Sequence, residues 1–176
     1  MSTGSPAIDY KLMVKTKDAK WTKLAKRVIN GVMDYAVQVN KSDGSPNFRA
    51  IKIGEWEERD SFPGFYIIFP QFDTQAQAQY HRRDQIFSFE CTITAKGKNF
   101  KDSLGQLLEM FGDFVEACEE DKVMNTIPAA AVAEAYHLEL MGLAIGQGST
   151  QAARSSEYLY GTTLVVVKAL LDARIR

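Results

Sequence analysis

Between Gln85 and Lys122 an alternating run passes directly into a helical one. Phe87, Phe89, Cys91 and Ile93 are apolar, and their neighbours Ser88, Glu90, Thr92 and Thr94 are polar. Strict period-two alternation predicts a strand with one face buried. Lys96-Gly97-Lys98 then turns the chain, and Asn99 can cap a helix. The apolar residues of that helix, Phe100, Leu104, Leu107, Leu108, Phe111, Val115 and Cys118, recur at offsets of three and four and make one stripe. Strand and helix each have a single apolar side, so packing one on the other buries both.

The flanking pattern adds elements around this pair. Tyr10, Leu12 and Val14 alternate within an otherwise polar start, which reads either as a tail or as a short added strand. Asp18 can cap a first helix whose buried stripe is Trp21, Leu24, Val28, Val32, Tyr35 and Val39. Asn40 to Asn47, with Asp-Gly and Ser-Pro, is a turn-rich loop, and Arg49 to Glu55 a short strand. After a polar link, Pro63-Gly64 leads into the strand Phe65 to Phe69, which Pro70 is expected to end. Its nearly continuous apolar run suggests cover on both faces, or cover of one face by a neighbouring subunit. Val123 to Ala135 reads as a loop or a helical turn, Tyr136 to Ile145 and Tyr158 to Ala169 as strands.

The expected fold is therefore α+β: a mostly antiparallel sheet of about five strands with two helices packed on one face, in the order α-β-β-β-α-β-β. All 176 residues belong to one domain, with 1–16 a flexible N-terminal tail and 71–84 and 146–156 extended loops. Consecutive strands are expected to pair as antiparallel hairpins. The uncovered sheet face would carry Tyr66, Ile68, Met141, Val165 and Val167, too much apolar surface to leave in water, so a partner subunit is expected to cover part of it.

Composition narrows the function classes. Twenty-one basic against 22 acidic residues give a net charge of −1 and no long-range pull toward nucleic acid or anionic membrane. No apolar run approaches the roughly 20 residues a membrane helix needs. Cys91 and Cys118 both fall on apolar faces and read as buried, reduced thiols, as expected of a chain kept in a reducing cytoplasm or assembled there. No C-x-x-C, H-E-x-x-H or D-x-D-x-D spacing offers a metal site, and no G-x-S-x-G elbow a nucleophile. The G-Q-G at 146–148 lacks both the dinucleotide and the Walker continuation. The expectation is no enzyme, with no catalytic, cofactor or metal residues.

Candidate interface residues remain. Tyr80, His81, Arg82 and Arg83 are the contact-prone part of the 71–84 segment, because aromatics and arginine are enriched at interfaces. Lys23 and Arg27 lie on the basic side of the first helix, which reads as a solvated face, or as a site for phosphate or an acidic partner. Glu119 and Glu120 place negative charge at the end of the second helix, where the macrodipole disfavours it, so that end either fades out or meets a basic partner. Arg154 stands in the second extended loop.

The succession W-T-K-L-A-K-R-V-I, F-Y-I-I-F-P and Q-I-F-S-F-E-C-T-I-T-A-K-G, with its element order, resembles the tail terminator (tail completion) proteins of tailed bacteriophages over about Trp21 to Ala169. The resemblance rests on order and spacing, and the head–tail connector proteins of the neck share similar small folds. It implies a structural virion protein, assembled in the host cytoplasm, that forms a homo-oligomeric ring, commonly a hexamer, with no membrane partner. Such a ring sits on the last ring of tail tube protein, stops polymerisation and offers the surface to which the head, through its connector or stopper protein, docks. DNA would pass through the lumen without sequence specificity. A cyclic ring needs two different matching patches. The sheet edge with the 71–84 arm is the expected first patch, and the basic first helix with the acidic end of the second is the other. Two readings from other classes stand beside it: a small-ligand-binding α+β domain with a pocket on the open sheet face, and a nucleic-acid adaptor using Lys20 to Arg27.

Overall fold

A computed structural model of the chain describes residues 7–8, 11–39, 48–55, 61–76, 82–120, 133–149 and 157–172. The elements are β1 (Ala7–Ile8), α1 (Lys20–Gln38), β2 (Ala50–Ile53), β3 (Gly64–Ala76), β4 (Arg82–Ala95), α2 (Phe100–Glu120), β5 (Ala133–Ser149) and β6 (Glu157–Asp172). The expected α-β-β-β-α-β-β order holds, preceded by the two-residue β1. All six strands join one sheet in the order β1-β2-β3-β4-β6-β5.

The sheet is mixed. β3–β4, β4–β6 and β6–β5 pair antiparallel, but β1–β2 and β2–β3 are parallel. The expected β2–β3 hairpin therefore does not form. β1, α1 and β2 instead make a crossover unit, a connection that parallel neighbours require. Residues 1–16 are correspondingly not all tail: β1 pairs with β2, and the Leu12 backbone both donates to Asn30 Oδ1 (2.8 Å) and accepts from its Nδ2 (2.9 Å). Tyr10 lies outside the described residues, and Leu12 and Val14 are not in a strand.

The core lies between the sheet and the two helices, on one face. Phe87, Phe89, Cys91 and Ile93 are buried there as their alternation requires, beside Phe65 and Ile67 of β3 and Val165, Val167 and Ala169 of β6. Val165 and Val167 thus lie under the helices, not on the open face: they stand opposite Phe89 and Phe87. Leu164 and Val166 take the open face. A run such as Leu164-Val165-Val166-Val167 has no polar residue to set its phase, so only the pairing decides it.

α1 buries Leu24, Val28, Val32, Tyr35 and Val39 as its spacing predicts, while Trp21 stays partly exposed and its indole N–H donates to buried Gln85 Oε1 at 2.9 Å. Asp18 does not cap α1. The N-cap is Ala19, and Asp18, one residue too early, accepts from Lys15 N–H (2.8 Å) and Lys26 Nζ (2.7 Å). α2 is capped as expected, Asp102 N–H donating to Asn99 Oδ1 at 2.9 Å. Its buried stripe, however, is Ser103, Leu107, Met110, Phe114 and Cys118. Leu104, Phe111 and Val115 are half-buried, and Phe100 and Leu108 are exposed. The apolar arc of α2 is wider than its seat.

The strands outrun their expected ends. β3 continues through Pro70 to Ala76, and β4 begins at Arg82, so most of 71–84 is ladder rather than loop. Pro70 sits where Phe69 and Pro70 together oppose Phe89, a bulge that tolerates its missing N–H. β5 runs to Ser149, so the second extended loop is shortened too; residues 150–156 lie outside the described residues.

Two consequences are testable. A β-carbon on Gly97 would lie 2.6 Å from Asp102 Cβ and 2.8 Å from Asp102 C and Ser103 N, and the last two are helix backbone that cannot swing aside. Gly97→Ala is expected to cost about 1–3 kcal/mol in urea unfolding. Burial, then Cys118 and Glu90, raise the Cys91 thiol well above its ordinary pKa, and both cysteines are free and buried. Thiol reagents should therefore modify neither residue in the native protein and both in denaturant, as read by mass spectrometry.

Candidate functional site

Chemistry is sparse in the described residues. They contain no group of three or more His, Cys, Asp or Glu able to hold a metal ion, and no helix long and apolar enough to cross a membrane. A pocket of about 260 Å³ opens at the start of α2, lined by residues 96–100, Ser103, Gln147, Tyr158 and Leu159. Its backbone turn is held locally: Gly97 N–H donates to Ser103 Oγ (2.8 Å), Ser103 Oγ–H to Asn99 O (3.0 Å), and Lys96 N–H to Gln106 Oε1 (3.1 Å). Lys96 Nζ lies 5.8 Å from the centre of the Phe62 ring, which also packs on Tyr158 at 5.3 Å. Burial, then neighbouring Tyr160, raise the Tyr158 phenol further above neutrality, so it is no base. This is a helix cap closed on itself.

The interface candidates read from the sequence are scattered. Lys23 and Arg27 are half-buried on α1. Arg82 and Arg83 open β4, opposite Asp172 and Leu171 of β6. Glu119 is exposed at the end of α2, and Glu120 is its last residue. Tyr80, His81 and Arg154 lie outside the described residues. Lys26, on the same side of α1, is held by Asp18 and by Met13 O (2.9 Å), which binds the residues before α1 onto the helix. That clamp has a pH signature. Hydrogen bonds from Lys26 and then from Lys15 lower the Asp18 pKa, so the contact is intact above the ordinary carboxylate range and is lost as pH falls through the depressed value. A carboxyl NMR titration should place Asp18 below the ordinary aspartate value, and Lys26→Met should raise it toward that value, the Lys15 N–H remaining.

Exposed apolar side chains stand on α2 and on the last two strands. Phe100 (57% exposed) and Leu108 (49%) on α2, and Ile145 (45%) on β5, are open to solvent. Ile145 is directly opposite Gly161, whose added β-carbon would touch both Leu143 of β5 and Leu107 of α2. Leu107 and Leu143 thus both lie against Gly161 of β6, on the face that the helices cover. On the other sheet face, Leu164 and Tyr160 of β6 are exposed as well, each next to β5 in the ladder. The last two strands therefore carry uncovered apolar residues on both faces of the sheet. The sequence carries a signal for this, since α2 has more apolar positions than one buried stripe needs. No family model and no curated protein matches this chain.

Proposed function

We propose that this chain is a structural component of a tailed-phage virion, a tail terminator. It assembles as a cyclic ring, a hexamer, that caps the tail tube, ends its polymerisation and presents the surface for joining the head. The observation that carries the reading is the set of apolar side chains left open on α2 (Phe100, Leu108), on β5 (Ile145) and on β6 (Tyr160, Leu164). Singly exposed apolar residues are ordinary, but several gathered at one edge of one sheet mark an interaction surface. The surface lies at one side of the protomer, which suits a head-to-tail contact in which one patch meets a different patch on the next copy. The self-contained α2 cap and the resemblance of the Trp21 to Ala169 succession to tail terminators support the same reading.

Electron microscopy and native mass spectrometry of the purified protein test this directly. Annular particles of six copies that bind the ends of tail tubes, and not their sides, are expected. A chain that stays monomeric at high concentration, or a ring that does not recognise tube ends, overturns the proposal.

A further inference from the structure

The long strands of this sheet leave two open edges of matching length, direction and height. β5 ends the strand order, so among the described residues its outer edge is unpaired throughout. Among the described residues, β3 is covered on its outer side by β2 only over Gly64 to Ile67, which leaves Ile68 to Ala76 open. The register ties the two together. Ile68 pairs with Glu90, Glu90 with Leu164, and Leu164 with Met141; Ala76 pairs with Arg83, Arg83 with Leu171, and Leu171 with Ala133. The nine open residues of β3 therefore stand level with residues 133–141 of β5, on the opposite side of the sheet.

Direction matches as well. The three pairings β3–β4, β4–β6 and β6–β5 are all antiparallel, so β3 and β5 run in opposite senses. A second copy set beside the first in the same orientation brings β5 against β3 as an antiparallel pair. Above that level the neighbour's β1 and β2 occupy the space. There β5 changes course: Gly142, with φ +70°, and Leu143 together oppose Thr163 in a bulge. A bulge bends its strand, and this one begins where the open stretch of β3 gives way to β2.

We infer that adjacent copies of this chain are joined by main-chain pairing of β5 residues 133–141 with β3 residues 68–76, making one continuous sheet across the subunit boundary. The inference rests on the ring reading and names the contact that builds it. An open strand edge is a template for another strand, and the partner it fits here is the same chain. Pairing β5 with β5 about a two-fold axis fits less well. It leaves the β3 edge open and sets both Gly142 bulges near the middle of the shared ladder.

Hydrogen exchange on the wild-type protein tests this at assembling and at dissociating concentrations. The outward-pointing amides of 68–76 and 133–141, those not already donated to β4 or β6, should exchange at least about tenfold more slowly in the assembly, while those of β2 are unchanged. Rings whose two edge segments exchange as fast as in the free protomer overturn the strand pairing and leave the ring standing. Absence of any oligomer overturns the ring and this contact together. Gln71→Cys with Glu139→Cys, residues at one height, should give on oxidation a covalent ladder extending beyond dimer. A disulfide dimer formed by Glu139→Cys alone shows two-fold β5 pairing and overturns the proposal.

Discussion

Phe114→Ala is expected to lower stability by about 3–5 kcal/mol, and Leu108→Ala by no more than about 0.5 kcal/mol. Both residues are on α2, and both belong to apolar series at helical spacing. Phe114 is fully buried, with its ring 4.9 Å from that of Phe65, and its removal leaves a cavity between α2 and β3 that the packed sheet cannot close. Leu108 is half open to water and gives up little. In a chain of this size the Phe114 change should lower the melting temperature by roughly 10 °C. The pair is measured by urea unfolding of the protomer, below the assembly concentration so that subunit contacts do not contribute. Equal losses from the two substitutions would mean that α2 is seated about the face that its sequence spacing first suggests.

The second large effect is on assembly. Leu108→Asp combined with Ile145→Asp should leave the protomer folded and raise its assembly midpoint about 30-fold or more, since losing a central apolar contact costs about 2 kcal/mol or above. Neither residue belongs to the buried core, so the far-ultraviolet spectrum and protomer melting should stay close to wild type. Sedimentation velocity over a concentration series measures the shift. A change of similar size at Trp21, also partly exposed but on α1, should have a much smaller effect on assembly, because it lies away from the β5 edge. If the Leu108/Ile145 variant assembles as wild type does, the apolar edge is not the subunit contact.

The two experiments bear on one property of α2. Its apolar arc covers Ser103, Leu107, Met110, Phe114 and Cys118 on the side that meets the sheet, and Phe100, Leu104, Leu108, Phe111 and Val115 on the adjoining side. The first set holds the protomer together; of the second, Phe111 packs against the margin of the core, and Phe100 and Leu108 stay exposed. Read along the chain, the two merge into one broad stripe. Periodicity records which residues avoid water, but not which surface removes them from it.

Local pattern did decide much of this protein. The alternation of Phe87, Phe89, Cys91 and Ile93, the stripe from Leu24 to Val39, the Asn99 cap and the succession of elements all follow from residues within a few positions of one another. Each has its physical cause inside the element, so the chain states it directly. Tertiary structure alone decided the rest: the parallel β2–β3 pairing, the placing of β6 between β4 and β5, the phase of Leu164 to Val167, and the extension of β3 and β5 past their apolar stretches. Those depend on which distant segment supplies the next ladder, and main-chain hydrogen bonding is nearly blind to side-chain identity. A strand that continues beyond the core is held by its partner's backbone, and no hydrophobic pattern is needed to mark it.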